Sequence, residues 1–241
     1  MFLLNLKSFL HLNNNRKDQT VPPIANKVKD SHGTSKPISP IRKTQTRTQK
    51  LFGNQKYILG LVGEIASGKD TIAEYLVKNY GATTVSFSQP LRDIADRIYL
   101  EQSRKNLAAL GKVLRAEFGQ DILSKAIAQE VKQAKSSIVV LPNVRLESDL
   151  KHLINEPNFI LIAVEADQKI RYERLTKRRQ NTDDAGKTWE EFLADSQLET
   201  EIHIRDLAQK ALHKIDNNHG FVSLFEQIEQ IIQTLKEGEQ L

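Results

Sequence analysis

The stretch that most restricts how this chain folds runs from Tyr57 to Leu76. Tyr57 to Val62 is a continuous apolar run, the pattern of a strand buried on both faces. Gly63 follows, then four residues, then Gly68 and Lys69. After that Ile72, Ala73, Leu76 and Val77 fall on one helical face. Strand, glycine loop and helix in this order form a phosphate-binding P-loop, the Walker A pattern. The residue types follow from the task. Successive backbone N–H groups must turn inward to cradle phosphate oxygens, and glycine reaches the backbone angles this needs. Gly63, Ala66, Ser67 and Gly68 are therefore the expected cradle. The helix opening at Lys69 points its positive dipole end at the same phosphates, and Lys69 adds a full charge near the β and γ phosphates.

The pattern usually closes on Ser or Thr as a magnesium ligand. Here Asp70 stands in that place, followed by Thr71. A carboxylate beside phosphates repels them unless a cation lies between. Asp70 is thus a candidate Mg²⁺ ligand, direct or through water, and Thr71 a candidate partner of the α-phosphate.

At 241 residues the chain is long enough for one α/β domain with a full core. It has no Cys, which rules out a disulfide framework and a zinc–thiolate site and suits a reducing compartment, the cytoplasm. The net charge of +5 is unevenly spread. Residues 1–55 hold 10 Lys and Arg against 2 Asp, and the remainder holds 25 basic against 28 acidic residues. The basic character belongs to the first segment, so a nucleic-acid-binding role for the folded part has little support. The longest clean apolar run, Phe159 to Val164, is too short to span a membrane. Residues 13–55 are rich in Asn, Lys, Arg, Thr, Ser and Pro without periodicity, the composition of a disordered tail.

Beyond the P-loop, Thr83 to Phe87 reads as a second strand, and Pro90 suits the first turn of a helix. Arg92 then lies near the carboxyl end of that strand, where open α/β sheets bind ligands, and is a candidate for an acceptor phosphate. Residues 104–118 read as an amphipathic helix with Leu107, Leu110, Leu114 and Phe118 inward, ended by Gly119. A second helix runs through Ile122, Ile127 and Val131, and Arg104 and Arg115 are candidate pocket residues of this pair. Ser137 to Leu141 is a buried strand ending in Pro142-Asn143-Val144-Arg145. Asn143 stands where P-loop enzymes often carry an acid, and Arg145 suits bidentate phosphate contact. After the strand Phe159 to Val164, Arg171, Arg174 and Arg178 form one helical stripe. A polar loop follows, then Thr188 with Glu191 as a capping box. An arginine-bearing helix beside a polar loop is what a closing lid needs. Ala211 to Ile215 is a weak last strand, and Phe221 to Leu235 a strongly amphipathic closing helix. The six His show no metal-ligand spacing.

Gly63 to Thr71, the Ser-Phe-Ser-Gln-Pro-Leu-Arg run ending at Arg92, Asn143-Val144-Arg145 and Arg174 to Phe192 resemble P-loop nucleotide kinases. The resemblance is to the deoxynucleoside monophosphate kinases and the dephospho-CoA kinase-like proteins, over about residues 57–235. It implies a three-layer α/β/α P-loop NTPase sandwich with a mainly parallel sheet and a helical lid over residues 56–241; composition makes residues 1–55 a disordered basic tail before it. It implies Mg²⁺-dependent transfer of the ATP γ-phosphoryl group to a small nucleotide-like acceptor, with no membrane or nucleic-acid partner for the folded part. Lys69, Arg145, Arg174 and Arg178 would act on the phosphoryl group, and Arg92 and Arg145 would hold the acceptor. Two departures weigh on the acceptor and on turnover. Asn143 replaces an acid, and Ser86 and Ser88 stand where dephospho-CoA kinases carry a proton-accepting carboxylate. A phosphate acceptor is already an anion and needs no base, which favours a nucleoside monophosphate over dephospho-CoA. An NTP-hydrolysing switch and a nucleotide-binding module without turnover remain as alternatives.

Overall fold

The computed structural model describes residues 52–53, 55–178, 186–197 and 199–237, with the side chains of Arg104, Arg178, Glu199 and Thr200 outside that description. Residues 1–51 and 54 of the expected tail and the loop at 179–185 lie outside the described residues, while Phe52, assigned to that tail, is buried in the core. Deleting residues 1–50 is expected to leave the melting temperature and ATP affinity nearly unchanged, since that segment carries too little apolar residue to build core. Calorimetry on the truncated chain checks this, and a fall of many degrees would contradict it.

The described elements begin with β1 (Tyr57–Val62), α1 (Lys69–Tyr80), β2 (Thr83–Thr84), α2 (Gln89–Arg97), α3 (Arg104–Phe118) and α4 (Ile122–Gln133). β3 (Ile138–Val144), α5 (Glu147–Leu150), β4 (Phe159–Glu165), α6 (Gln168–Arg178) and α7 (Trp189–Asp195) follow. The chain then forms α8 (Glu199–Gln209), β5 (His213–Asp216) and α9 (Phe221–Glu237). The five strands pair in the order β2-β3-β1-β4-β5, and every pairing is parallel. Parallel strands need crossover helices, and these cover both faces. That is why all of β1 is buried and reads as an unbroken apolar run. Leu59 and Leu61 face α1 and α9 with Ile72, Leu76, Ile228 and Ile232. Ile58 and Val62 face the other layer, with Leu91, Ile127 and Leu207 from α2, α4 and α8. Phe52, upstream of the strand, joins the first layer and meets Tyr57 edge-on at 5.4 Å. The three-layer α/β/α sandwich with a parallel sheet is the architecture the sequence implies.

Several local details differ from the sequence reading, the first being β2, which spans only Thr83–Thr84 where a strand to Phe87 was expected. Pro142 lies inside β3, where the pairing with β1 slips between Gly60 and Val62. A bulge is where a central strand tolerates a residue without an N–H. Phe118 and Val77 were expected inward but are exposed. Phe118 sits in the last turn of α3, one turn past Leu114, where the stripe runs beyond the layer it packs on. Phe221, read as core, opens α9 in solvent and stacks on Phe225. β5 begins at His213, not at Ala211, because its ladder with β4 starts at the pair Ile162 and His213.

Candidate functional site

The P-loop connects β1 to α1, and β1 and β4 lie side by side with their following connections running to opposite sides of the sheet. Open α/β sheets place a ligand crevice at such a point. Gly63 presses against β4 there. A Cβ at this residue would stand 2.3 Å from the Val164 carbonyl oxygen and 2.8 Å from Ser67 Oγ, so no other residue fits without moving backbone. Gly68 has φ +107°, and a Cβ there would stand 2.1 Å from Asn217 Nδ2. Ala66 also has positive φ, at 59°, so the loop turns through left-handed backbone at two nearby residues. Asn217, buried after β5, donates from Nδ2 to the Ser67 carbonyl at 2.7 Å. Lys69 curls back over the loop: Nζ donates to the carbonyls of Gly63 at 2.6 Å and Glu64 at 2.9 Å and to Ser67 Oγ at 3.3 Å. Its ammonium is thereby held beside the glycine loop and the first turn of α1. Asp70 is exposed on that turn and Thr71 is half-buried.

Glu64 fastens the loop to α6 and α8. Its Oε2 pairs with Arg171 Nη2 and its Oε1 with Arg205 Nη1, each at 3.0 Å. Arg171 on α6 is 1% exposed. It also donates to the Ala166 carbonyl at 3.0 Å and the Ile65 carbonyl at 3.4 Å, and stacks over Phe192 at 5.4 Å. Arg205 Nη1 reaches the Ser196 carbonyl at the end of α7 at 2.9 Å. Burial pushes the Arg171 pKa down, with the charges of Glu64 and Glu201 opposing it. α7 begins as expected, with Thr188 Oγ1 accepting from the Glu191 N–H and Glu191 accepting from the Thr188 N–H. Its Phe192 is fully buried with Leu175 against Ala66 of the loop.

Arg174 Nη2 donates to the Asn217 carbonyl at 2.8 Å. Its Nη1 is buried without a hydrogen-bond partner, and burial lowers its pKa. Arg174 thus reaches the P-loop through Asn217 and carries an unused donor beside it. Arg178 closes α6, and its side chain lies outside the described residues. Arg145 is exposed just past β3. Asp149 Oδ2 accepts from the backbone N–H groups of Arg145 at 3.2 Å and Leu146 at 3.0 Å, which fixes that turn. Asp149 is buried and bonds Arg115 at 3.4 Å. Burial raises its pKa, and these hydrogen bonds and the Arg115 charge oppose the rise. Arg115 is therefore engaged in holding the Arg145 turn. Arg92 Nη1 donates to Gln102 Oε1 at 2.8 Å, and Ser86 and Ser88 bond each other.

The sequence reading missed Asn217, the Glu64 hub and α8. The spacing of Ile204, Leu207, Ala208 and Ala211 signals α8 in the sequence. α8 carries Glu201, whose Oε2 is buried with no hydrogen-bond partner, and Arg205 one turn further on pairs with Glu64 of the P-loop. Burial raises the Glu201 pKa, and the positive charges of Lys69 and Arg145 pull the other way. Glu201 is thus where the fields of Lys69 and Arg145 meet.

A family model described as AAA domain matches residues 62–193. Among curated proteins, the chain is 28% identical over 183 residues to a UPF0200 protein of Pyrococcus abyssi, covering 74% of this chain and 96% of the relative. A UPF0200 protein of Thermococcus gammatolerans is 29% identical over 191 residues, covering 75% of this chain and 98% of the relative. The UPF0200/UPF0201 protein of Archaeoglobus fulgidus is 26% identical over 179 residues, 73% of this chain, and the match spans only 54% of that relative. Among solved structures, shikimate kinase from Bacteroides thetaiotaomicron aligns with a TM-score of 0.48 at 15% identity, over 77% of this chain and 99% of that one. Shikimate kinase from Acinetobacter baumannii in complex with shikimate aligns with a TM-score of 0.48 at 12% identity, over 80% and 99%.

Proposed function

This chain belongs to the AAA domain family, and from that premise we propose that it is an ATP-dependent phosphotransferase acting on a small nucleotide-like acceptor. The observation that carries the reading is the P-loop itself. Its two close-fitting glycines, its left-handed turns and the Lys69 ammonium form a ready anion cradle at the sheet's switch point. Arg174 adds a buried donor without a partner. Arg145 adds an exposed guanidinium on a fixed turn past β3. Fixed positive groups around transferring phosphate lower its barrier by stabilising charge that develops in the transition state. Arg178 joins this set as a proposal from its place on α6, and Arg92 as a proposed acceptor contact.

The acceptor favoured by the sequence is a nucleoside monophosphate, because no carboxylate ends the second strand. Glu201 bears on that ground, since it brings a carboxylate to Lys69 and Arg145 from another element. Dephospho-CoA is therefore the second reading. Acceptor-dependent release of ADP from ATP tests the function.

Mg²⁺ suits the donor set. Among the described residues no group of three or more His, Asp or Glu could hold a metal ion. A hard cation bound through one carboxylate, phosphate oxygens and water needs no such cluster, and Asp70 on the first turn of α1 is the residue that would hold it. When bound, Mg²⁺ neutralises phosphate charge. Asp70→Ser is accordingly expected to tighten metal-free ATP binding and to leave Mg·ATP binding similar or weaker. A unit-charge contact near 4 Å is worth at most ~4 kcal/mol at an effective dielectric near 20, and solvent reduces it. A shift of about tenfold, ~1.4 kcal/mol, is expected in EDTA. Calorimetric titration with ATP in EDTA and in excess Mg²⁺ measures it. An equal change in both conditions would show that Asp70 is not coupled to the metal and instead stabilises the helix start.

No helix among the described residues is long and apolar enough to cross a membrane. We place the protein in the cytoplasm on its Cys-free composition.

A further inference from the structure

Glu201 does not behave as a structural ion-pair residue. α8 is seated by Ile204 and Leu207 in the second layer, which fixes where its first turn stands. Arg205, one turn further along the same face, pairs with Glu64 at 3.0 Å, which sets this face of α8 against the P-loop. The Glu201 Oε2 is buried and accepts nothing. Buried carboxylate oxygens are normally satisfied, so an unused acceptor in a site full of donors calls for a partner that arrives with the ligand. The charged groups around it come from separate elements. Lys69 acts from α1 and Arg145 from the end of β3, Glu64 is the like charge on the loop, and Arg171 acts from α6. Lys69 belongs to the phosphate cradle, and the charges of Lys69 and Arg145 both act on Glu201.

We propose that Glu201 is the general base of this site and that the reacting group of the acceptor is a hydroxyl on a nucleotide-like molecule. The inference rests on the phosphotransferase reading above and takes its second acceptor reading, a hydroxyl, over the phosphate of a nucleoside monophosphate. In the step, the Glu201 carboxylate takes the hydroxyl proton while the hydroxyl oxygen forms its bond to the γ-phosphorus of ATP. The bond from that phosphorus to the β–γ bridging oxygen breaks, and ADP leaves with the electron pair. Burial holds the proton affinity of Glu201 above the ordinary carboxylate range, closer to what a base working near neutral pH needs. The sequence contains no carboxylate at the end of the second strand, where Ser86 and Ser88 bond each other. Glu201 supplies the function from α8.

The test compares wild type, Glu201→Gln and Glu201→Asp, with dephospho-CoA as the hydroxyl probe and a panel of nucleoside monophosphates as phosphate probes. Melting temperature and ATP affinity are measured for each protein. Glu201→Gln is expected to lower kcat with dephospho-CoA by roughly 100-fold or more. ATP affinity should stay within about threefold, less than the tenfold that ~1.4 kcal/mol represents. The wild-type rate should fall as pH drops through the Glu201 titration, and that acid limb should vanish in Glu201→Gln and survive in Glu201→Asp. Wild-type turnover of nucleoside monophosphates alone, untouched by Glu201→Gln, would overturn this inference and leave the phosphotransferase reading standing. Loss of ATP binding or of the fold in both variants would make Glu201 a structural residue and also overturn it. No acceptor-dependent turnover by wild type would remove both.

Discussion

Lys69→Ala is expected to cut turnover by at least ~100-fold, the scale on which removing one preorganised donor acts, while the domain stays folded. The ammonium is half-buried and bonds two loop carbonyls and the Ser67 hydroxyl. Those bonds are local, and water replaces them at a net cost of about 1 kcal/mol each or less. The charge has no replacement. Differential scanning calorimetry should therefore show a shift of only a few degrees beside a near-complete loss of ADP production. A folded Lys69→Ala protein with wild-type turnover would mean that the loop does not hold the transferring phosphate.

Arg171→Ala should instead destabilise the whole domain. This side chain is fully buried, pairs with Glu64 and donates to two further carbonyls. Removing one partner of a buried ion pair typically costs about 3–5 kcal/mol, because the other charge loses its counterpart. Here Arg205 still pairs with Glu64, which places the expectation at the lower end, about 3 kcal/mol. For a domain of this size that is a fall of roughly 6–12 °C in melting temperature. ATP affinity should drop with it, since Arg171 holds the loop through Glu64 and Ile65. The double variant Glu64→Gln, Arg171→Met should recover part of the loss, because the Glu64 charge no longer stands without Arg171. A loss below about 1 kcal/mol would mean that water reaches the pair.

Sequence legibility followed the range of the interactions. β1, the P-loop and α1 are local, and each residue type there answers a local demand, so strand, loop and helix were readable from Tyr57 onward. The same holds for α3, for the Thr188 cap and for the buried strand Phe159 to Val164. The parallel order of the strands was reachable only through motif and resemblance, because register depends on partners far along the chain. Asn217 illustrates what periodicity cannot report. It reads as one residue of a polar turn, yet it closes on Gly68 and Ser67 across 150 positions. Glu64 reads as a filler position inside the P-loop and becomes the anchor for α6 and α8 only when those helices are in place. Glu201 sits on a helix whose apolar spacing was legible, but its partners come from the P-loop and the end of β3. Arg115, by contrast, was a candidate on residue type alone, and the buried Asp149 shows what it holds.

The most direct test of the central claim is ADP release from ATP by the wild-type chain, measured across nucleoside monophosphates and dephospho-CoA against a control without acceptor. Release in excess Mg²⁺ is expected to rise with at least one acceptor well above the control. Release that is the same with and without every acceptor would indicate a nucleotide-hydrolysing switch, and ATP binding with no release would indicate a binding module. Either result would contradict the phosphotransferase reading.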